Sequence, residues 1–485
     1  MSSRELLALL VVAAPALAAA ATVVAPRRVV HVVATVGALA SAAAAGALAT
    51  VALASPGSPL VERWLVVDAA AGLLVAVIGV VGLTAVLVSP AYLAASPHGI
   101  VRAERRPRTF YGLVFCFWAI LTAIPLVGNL GGAWLLVEAT TAASALLVGF
   151  GGKPRALEAA WKYLILTTLG LGVALLGIVV LAAGSPYGGL DALSWRALEH
   201  VHAGHALIAY LLLLAGLASK IGWAPVHNWL PDAHSEAPAP VSAMLSAALL
   251  PTVMLVAWRS SQALTPVIGG SAARSVLVGF GLVSLAVAVP FLWQAMPWKR
   301  LLAYSSLEHM GVIALGIGFG TPLALAGVAV HIVGHALAKA LGFYAATPLL
   351  GHEPRAAGHA ARGIGRTDGR LASVLGVSLG ALAGLPPSPL FASEVLIVAG
   401  GFAAGRPWSA AIAAALLSLG FLGLAHALLE TIAGKAHVRD RAAPPGRRGV
   451  VILASIAVPC LLSLTVAAVW LPGSAIARAL VRGIG

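Results

Sequence analysis

The stretch Leu211–Trp229, LLLLAGLASKIGWAPVHNW, puts a lysine, Lys220, inside an apolar helix and a Trp-Ala-Pro break just after it. A charged side chain near a bilayer centre costs about 2.5–3.5 kcal/mol on insertion scales. A lysine that only anchored a helix would stand at its end. Lys220 instead has apolar turns before it and the segment Trp223 to Pro225 behind it. A buried charge beside an interrupted helix points to ion transfer.

The rest of the chain agrees with a bilayer. Of its 485 residues 60% are hydrophobic and 9% charged, where soluble proteins carry roughly 25% charged residues. Long apolar runs recur from end to end, so the expected fold is an all-α polytopic membrane protein. About 14 spans are expected, at residues 4–25, 29–53, 65–90, 109–127, 130–150, 160–184, 205–230, 239–260, 272–296, 299–320, 322–348, 371–402, 407–433 and 449–472. The first 21 residues have the pattern of a secretory signal, but the apolar run continues to Val24 and further spans follow, which favours a first transmembrane helix. Residues after 472 read as a short interfacial helix.

The formal net charge of +14 sits mostly in short loops, without the aromatic interleaving that would suggest nucleic acid. Loops after odd-numbered spans hold Arg27, Arg28, Arg102, Arg105, Arg106, Arg108, Lys153, Arg155, Lys299, Arg300, Arg355, Arg362, Arg366, Arg370, Lys435, Arg439, Arg441, Arg447 and Arg448. The other side holds only Arg4, Arg63, Arg196, Arg259, Arg274, Arg406, Arg478 and Arg482. The positive-inside rule then places odd loops in the cytoplasm and both termini outside it. The basic loop Lys435–Arg448 is a topology determinant, with anionic lipid as a second reading. The two cysteines, Cys116 and Cys460, lie in apolar runs, and no Cys-x-x-Cys or Gly-rich nucleotide loop occurs. No cofactor or metal is therefore expected in this chain.

Titratable residues inside the spans carry the functional expectation. Glu138 lies in AWLLVEATTAASALL of span 5, and a Glu138–Lys220 pair across two helices is the economical way to hold both charges. In span 11, HIVGHALAKALGF places His331, His335 and Lys339 at i, i+4, i+8, on one face about 6 Å apart along the axis. Two such histidines could bind a metal, but a metal site would want a third ligand and no ammonium one turn away. A satisfied structural cluster is a second reading, and a water-bridged proton relay is preferred because imidazole passes protons through either nitrogen. Glu308 and His309 in span 10 either extend this line or sit at the interface. Lys162 opens span 6, where snorkelling to the headgroups is the alternative to a relay role. Span 12 carries its own break, Pro386, Pro387, Ser388 and Pro389, followed by a deep Glu394. Paired interrupted helices suggest inverted repeats at spans 4–8 and 9–13. His227, Asp232, His234 and Glu236, in HNWLPDAHSE, are read as a loop-ordering network rather than a metal cluster, and the first three as candidates for proton access. His426 and Glu430 near the end of span 13 read as an ordinary helix end.

At these residues the chain resembles the antiporter-like proton-translocating subunits of respiratory complex I, Mrp sodium/proton antiporters and energy-converting membrane hydrogenases. The resemblance covers about residues 65–435 and is strongest in KIGWAPVHNWLPDAHSEAPAPVSAML. LLVEATTAASALLVGF, ALEAAWKYLIL, RLLAYSSLEHMGVIALG, HIVGHALAKALGFY and GLPPSPLFASEVLI make it most similar to the hydrogenase-4 component F, or formate hydrogenlyase, type. The resemblance implies a 14-helix fold with two inverted five-helix repeats and broken helices 7 and 12. It matches Glu138, Lys162, Lys220, the span-11 residues His331, His335 and Lys339, and the span-12 terminal Glu394 to the family's relay. One membrane domain, 1–485, would then hold a core at 65–435, half-channels at 130–260 and 272–433, and a C-terminal helix and tail at 449–485. Pro251 stands where complex I relatives carry a span-8 lysine, so the link between halves must use water, Ser242, Ser246 or span-10 residues, or be broken. The implied role is a non-catalytic proton-pumping subunit of a multisubunit oxidoreductase in the cell (inner) membrane. Its partners would be other membrane subunits and a peripheral redox module, with iron–sulfur and, as a further candidate, nickel–iron centres. The translocated ion would be the proton, with sodium the other candidate. The alternative is an Mrp-type cation/proton antiporter subunit without a redox partner.

Overall fold

A computed structural model describes residues 2–95, 101, 105–349, 362–435 and 446–482. It contains 13 helices long and apolar enough to cross a membrane, plus two shorter apolar helices, Gly369–Leu382 and Pro389–Ala403. These two are the halves of one interrupted crossing, span 12, so the expected fourteen spans are present. Two of the connections are tight turns. Span 4 (Arg106–Ala123) reaches span 5 (Leu130–Val148) through a short 3-10 turn, and span 10 (Trp298–Phe319) meets span 11 (Pro322–Leu349) at Gly320. The first apolar run is a helix, Ser3–Val24, opened by a reciprocal Ser2–Glu5 capping box and packed against spans 2 and 4. Residues 436–445, most of the basic loop Lys435–Arg448, lie outside the described residues, as do Arg102 and Arg355. Arg447 at the end of that loop pairs with Asp368 at 3.2 Å.

Burial sorts the spans by what they carry. Spans 8 (Ala239–Ile268) and 10 are buried throughout their most apolar windows, and span 11 over 83% of it, while span 14 (Arg447–Trp470) is buried over only 22%. The central three hold most of the intramembrane titratable groups, where neighbouring helices rather than lipid meet them.

Without a hydrophobic drive between helices in lipid, association rests on close packing of small residues. Span 6 (Pro154–Ala183) and span 7 (Ala203–Ile221) meet along Gly170, Ala174 and Gly177 on one side and Ala209, Gly216 and Ser219 on the other. A Cβ on Gly216 would land on the backbone of Gly170 and Ala174. This contact presents Lys220, one turn beyond Gly216, to spans 5 and 6.

Both expected breaks exist. Span 7 stops at Ile221, Gly222 turns with φ +80°, and a short helix, Trp229–Glu236, follows. The break is fastened by Trp223 Nε1 donating to the Met310 carbonyl at 3.0 Å, and by the Ala224 amide donating to Ser284 Oγ at 3.1 Å. Span 12 is interrupted at residues 383–388, with Gly384 at φ +72°, and Ser388 caps its second half. In span 8, Leu245–Leu249 form a π-helical turn just before Pro251. A proline lacks the N–H for the carbonyl four residues back and crowds that carbonyl, and a widened turn relieves both.

Arg259, read from sequence as an outer-side charge, lies inside span 8. Its Nη2 pairs with Asp68 Oδ2 at 2.9 Å, its Nη1 donates to the Pro125 carbonyl at 2.7 Å, and both residues are buried.

Gly216→Val is expected to lower stability by about 1–3 kcal/mol through overpacking, read as an earlier thermal unfolding transition in detergent. Gly172→Val, where a Cβ meets open space, should stay within about 0.5 kcal/mol of the parent.

Candidate functional site

Lys220 is fully buried. Its Nζ donates to Thr141 Oγ1 at 2.7 Å and to the Tyr163 hydroxyl at 2.5 Å, and Tyr163 shares a further hydrogen bond of 2.7 Å with Ser144. The expected direct pair with Glu138 is absent among the described residues. Glu138 Oε1 instead accepts from Thr168 Oγ1 at 2.9 Å. The reason is helical register: Thr141 lies three residues beyond Glu138 on the same face of span 5, and its hydroxyl meets the ammonium. The carboxylate acts on the ammonium through space.

Lys162 is not in this buried cluster. It is 48% exposed and pairs with Glu158 at 2.6 Å and Asp232 at 3.4 Å. Asp232 also faces Arg300 at 3.5 Å. The short helix after the span-7 break thus joins the third turn of span 6 to the first turn of span 10.

His234, on that short helix between spans 7 and 8, is fully buried, between the rings of Trp229 and Phe343. Neither ring nitrogen has a hydrogen-bond partner among the described residues. Burial, and then the positive charges of Lys339 and Lys299, push its pKa down to about 3. Burial lowers that of His227 as well. The residues His227, Asp232, His234 and Glu236 do not converge as metal ligands.

The second half is built on spans 10, 11 and 12. His331, His335 and Lys339 are all fully buried, as a common face requires. Lys339 Nζ donates to the Leu302 carbonyl at 2.6 Å and to Ser305 Oγ. His309 fits between the two span-11 imidazoles, its ring centre 5.1 Å from His331 and 5.0 Å from His335. Its Nδ1 lies 3.0 Å from His331 Nε2, and His331 Nδ1 lies 2.8 Å from Ser393 Oγ. Glu308 and His309 are both buried, so neither sits at the interface that one sequence reading offered. Being consecutive on a helix they diverge: His309 faces span 11, and Glu308 points at Gly420 of span 13 (Pro407–Ala433), where only a glycine leaves room. Glu394 is half-buried against Gly384 at the span-12 break.

Between the halves, where Pro251 replaces the expected lysine, Ser246 Oγ on the π-helical turn meets Ser306 Oγ of span 10 at 2.7 Å. Ser242 is turned away and donates to the His234 carbonyl at 2.8 Å. His335 lies beyond this serine pair, next to the Ser246 carbonyl. The groups run from Glu138 with Thr168 and Lys220 with Thr141 and Tyr163 in the first half, through the Ser246–Ser306 pair, to Lys339 with Ser305, the three imidazoles, and Ser393 and Glu394 in the second.

The hydroxyls of Thr141, Tyr163, Ser305, Ser306 and Ser393 escaped the sequence reading. Hydroxyl residues are common in membrane helices because they bond their own backbone, so nothing in the pattern singles these out. Only the i, i+3 spacing of Glu138 and Thr141 was available as a signal.

Residues 127–420 match the family described as NADH:quinone oxidoreductase/Mrp antiporter, TM. The chain is 32% identical over 352 residues to a hydrogenase-4 component F homolog of Methylacidiphilum infernorum, covering 70% of this chain and 72% of that one. It is 30% identical over 424 residues to NADH-quinone oxidoreductase subunit N of Desulforudis audaxviator, covering 82% and 79%. Its fold superposes on a chain of the archaeal membrane-bound sulfane sulfur reductase complex with a TM-score of 0.85 at 19% identity, over 98% of this chain and 97% of that one.

A histidine held neutral by burial destabilises the folded state at low pH. Below pH 6.5 the unfolded chain takes up a proton that folded His234 refuses until about pH 3. Its contribution to stability therefore falls by about 1.4 kcal/mol per pH unit across that window. His234→Gln should flatten the fall between pH 6.5 and 4, measured by denaturant unfolding in detergent. An unchanged slope would show that His234 is protonated in the fold.

Proposed function

The chain belongs to the NADH:quinone oxidoreductase/Mrp antiporter transmembrane family, and we propose that it moves protons through its buried Glu/Lys/His row as a subunit of a multisubunit oxidoreductase of hydrogenase-4 or NADH-quinone oxidoreductase type. The observation that carries this reading is the ordered row from Glu138 to Glu394, each member of which meets a hydroxyl, an imidazole or another charge inside a membrane domain.

Glu138 supplies the countercharge for the Lys220 ammonium without touching it. Neutralising Glu138 withdraws that charge from a cation whose only direct partners among the described residues are two neutral hydroxyls, and the proton leaves Lys220. The hydroxyls of Tyr163 and Thr141 take up the lone pair contacts that remain. On the far side, the Ser246–Ser306 pair stands in for the missing span-8 lysine, and Lys339, His335, His309 and His331 carry the proton on to Glu394. Asp232 with Lys162, and His227 and His234, mark the entrance on the cytoplasmic side. Inverted repeats at spans 4–8 and 9–13 are supported by the two breaks, one in each set. The redox chemistry belongs to partner subunits bearing iron–sulfur centres and, in the hydrogenase type, a nickel–iron centre, in a cell membrane with both termini of this chain outside the cytoplasm.

In inverted membrane vesicles, Glu138→Gln is expected to cut redox-driven proton uptake by about a hundredfold, the scale of a lost acid–base group, while the variant still assembles. Uptake that survives this substitution refutes the row as the route. Gentle purification that recovers a hydrogenase or quinone-reducing module supports the oxidoreductase reading. Recovery with only small Mrp-like membrane subunits overturns it in favour of an antiporter.

A further inference from the structure

His309, His331 and Glu394 bring two imidazole nitrogens and a carboxylate oxygen within 4.8 Å of one another. Among the described residues this is the only such trio. We propose that His309 Nδ1, His331 Nε2 and the Glu394 carboxylate form a binding site for a zinc-type divalent cation at the junction of spans 10, 11 and 12.

The tertiary structure answers one objection that the sequence raises to a metal here and lessens the other, since Lys339 still acts on His309 and His331 through space. The i, i+4 pair His331 and His335 is not the ligand pair. The second imidazole comes from span 10 and the third ligand from span 12. Lys339 lies eight residues, about 12 Å of helix, from His331, and its ammonium is directed to the Leu302 carbonyl and Ser305.

The hydrogen bonds fix which nitrogens are free. Ser393 Oγ donates to the Leu390 carbonyl at 2.7 Å, so it accepts from His331 Nδ1. His331 Nε2 then carries a lone pair toward His309. With no ion, His309 Nδ1 must donate to it, which leaves His309 Nε2 as a buried acceptor with no hydrogen-bond partner among the described residues. Moving that proton to Nε2, on the side of the Leu382 carbonyl, frees both facing nitrogens for a cation. The rearrangement is a tautomer shift, so the imidazoles neither gain nor lose a proton. A ligating histidine held through its other ring nitrogen is the usual outer-shell arrangement of zinc sites.

Distances and charge agree. Zinc–nitrogen bonds of about 2.0–2.1 Å in tetrahedral geometry place two ligand nitrogens about 3.3 Å apart, against 3.0 Å here. A divalent ion in an apolar interior needs two negative charges. Glu394 supplies one as ligand. Glu308, buried and acting on Glu394 through space, supplies the other, and its Oε2 has no hydrogen-bond partner among the described residues. Glu394 also lines a cleft of about 630 Å³ between the second half of span 12 and span 13, whose other walls are mostly apolar. Imidazole with carboxylate is a donor set that suits zinc.

The test is metal counting on the purified intact complex, equilibrated with Zn²⁺, desalted and assayed for zinc per chain. The wild type should retain one zinc attributable to this chain, with an X-ray absorption signature of two imidazoles and oxygen. His309→Gln and Glu394→Gln should each weaken retention at least tenfold. Ser393→Ala should weaken it about ten- to a hundredfold by loosening His331, and His335→Gln should leave it unchanged. Wild-type complex that retains no zinc overturns the site, as does undiminished zinc in both His309→Gln and Glu394→Gln. If either variant fails to assemble, Ser393→Ala decides in its place. Zinc at this position occupies the lone pairs that the proton route uses, so loaded complex should stop translocating. Bound zinc with full translocation would sink the route through these imidazoles and leave the site standing.

Discussion

A lysine ammonium buried between membrane helices must be met by fixed dipoles, and the fold is arranged around doing this twice. Lys220 is held by Thr141 and Tyr163, and Lys339 by the Leu302 carbonyl and Ser305. In each case the acceptors come from neighbouring helices, so the charge can be tolerated only where several helices converge. That requirement explains why spans 8, 10 and 11 are enclosed while span 14 faces outward over most of its surface. It also explains the glycine-lined contact of spans 6 and 7, which brings Tyr163 close enough to reach Lys220.

Neutral acceptors matter as much as their number. A contact ion pair between Glu138 and Lys220 would hold the proton in a deep well, since separating paired charges in a low-dielectric interior is costly. Hydroxyls in contact, with the carboxylate one helical turn away, leave the ammonium stabilised yet responsive to the state of Glu138. The imidazole cluster works on a related principle. His309 and His331 lie within hydrogen-bonding reach of each other and His331 of Ser393, His335 packs its ring against His309, and unpartnered buried nitrogens remain at His309 and His335 among the described residues. Polar atoms of this kind are the usual seats of ordered water in protein interiors, and the same lone pairs make the cluster attractive to a metal.

The interruptions of the helices supply the geometry that regular helices could not. At the span-7 break, Trp223 and Ala224 bond across to spans 10 and 9, which locks the end of the Lys220 helix to the other half of the protein. The π-helical turn before Pro251 faces Ser246 toward Ser306. A proline that cannot carry a proton is thus accompanied by the local distortion that offers a hydroxyl in its place.

The sequence by itself determined the solvent, the number of crossings, the two breaks and most of the titratable residues. Hydropathy, proline placement and isolated charges such as Lys220 and Glu394 act along the chain, and bilayer thickness converts them directly into spans. Only the tertiary structure decided which groups touch. It put Thr141 rather than Glu138 against Lys220, left Lys162 at the surface with Asp232, buried Arg259 against Asp68, and inserted His309 of span 10 between two imidazoles of span 11. The physical reason is that partners in a membrane protein are chosen by how helices rotate and approach. That is set by small-residue packing between segments far apart in the chain, and threonines, serines and tyrosines that bond locally in any helix give no sign in advance of which will face a charge.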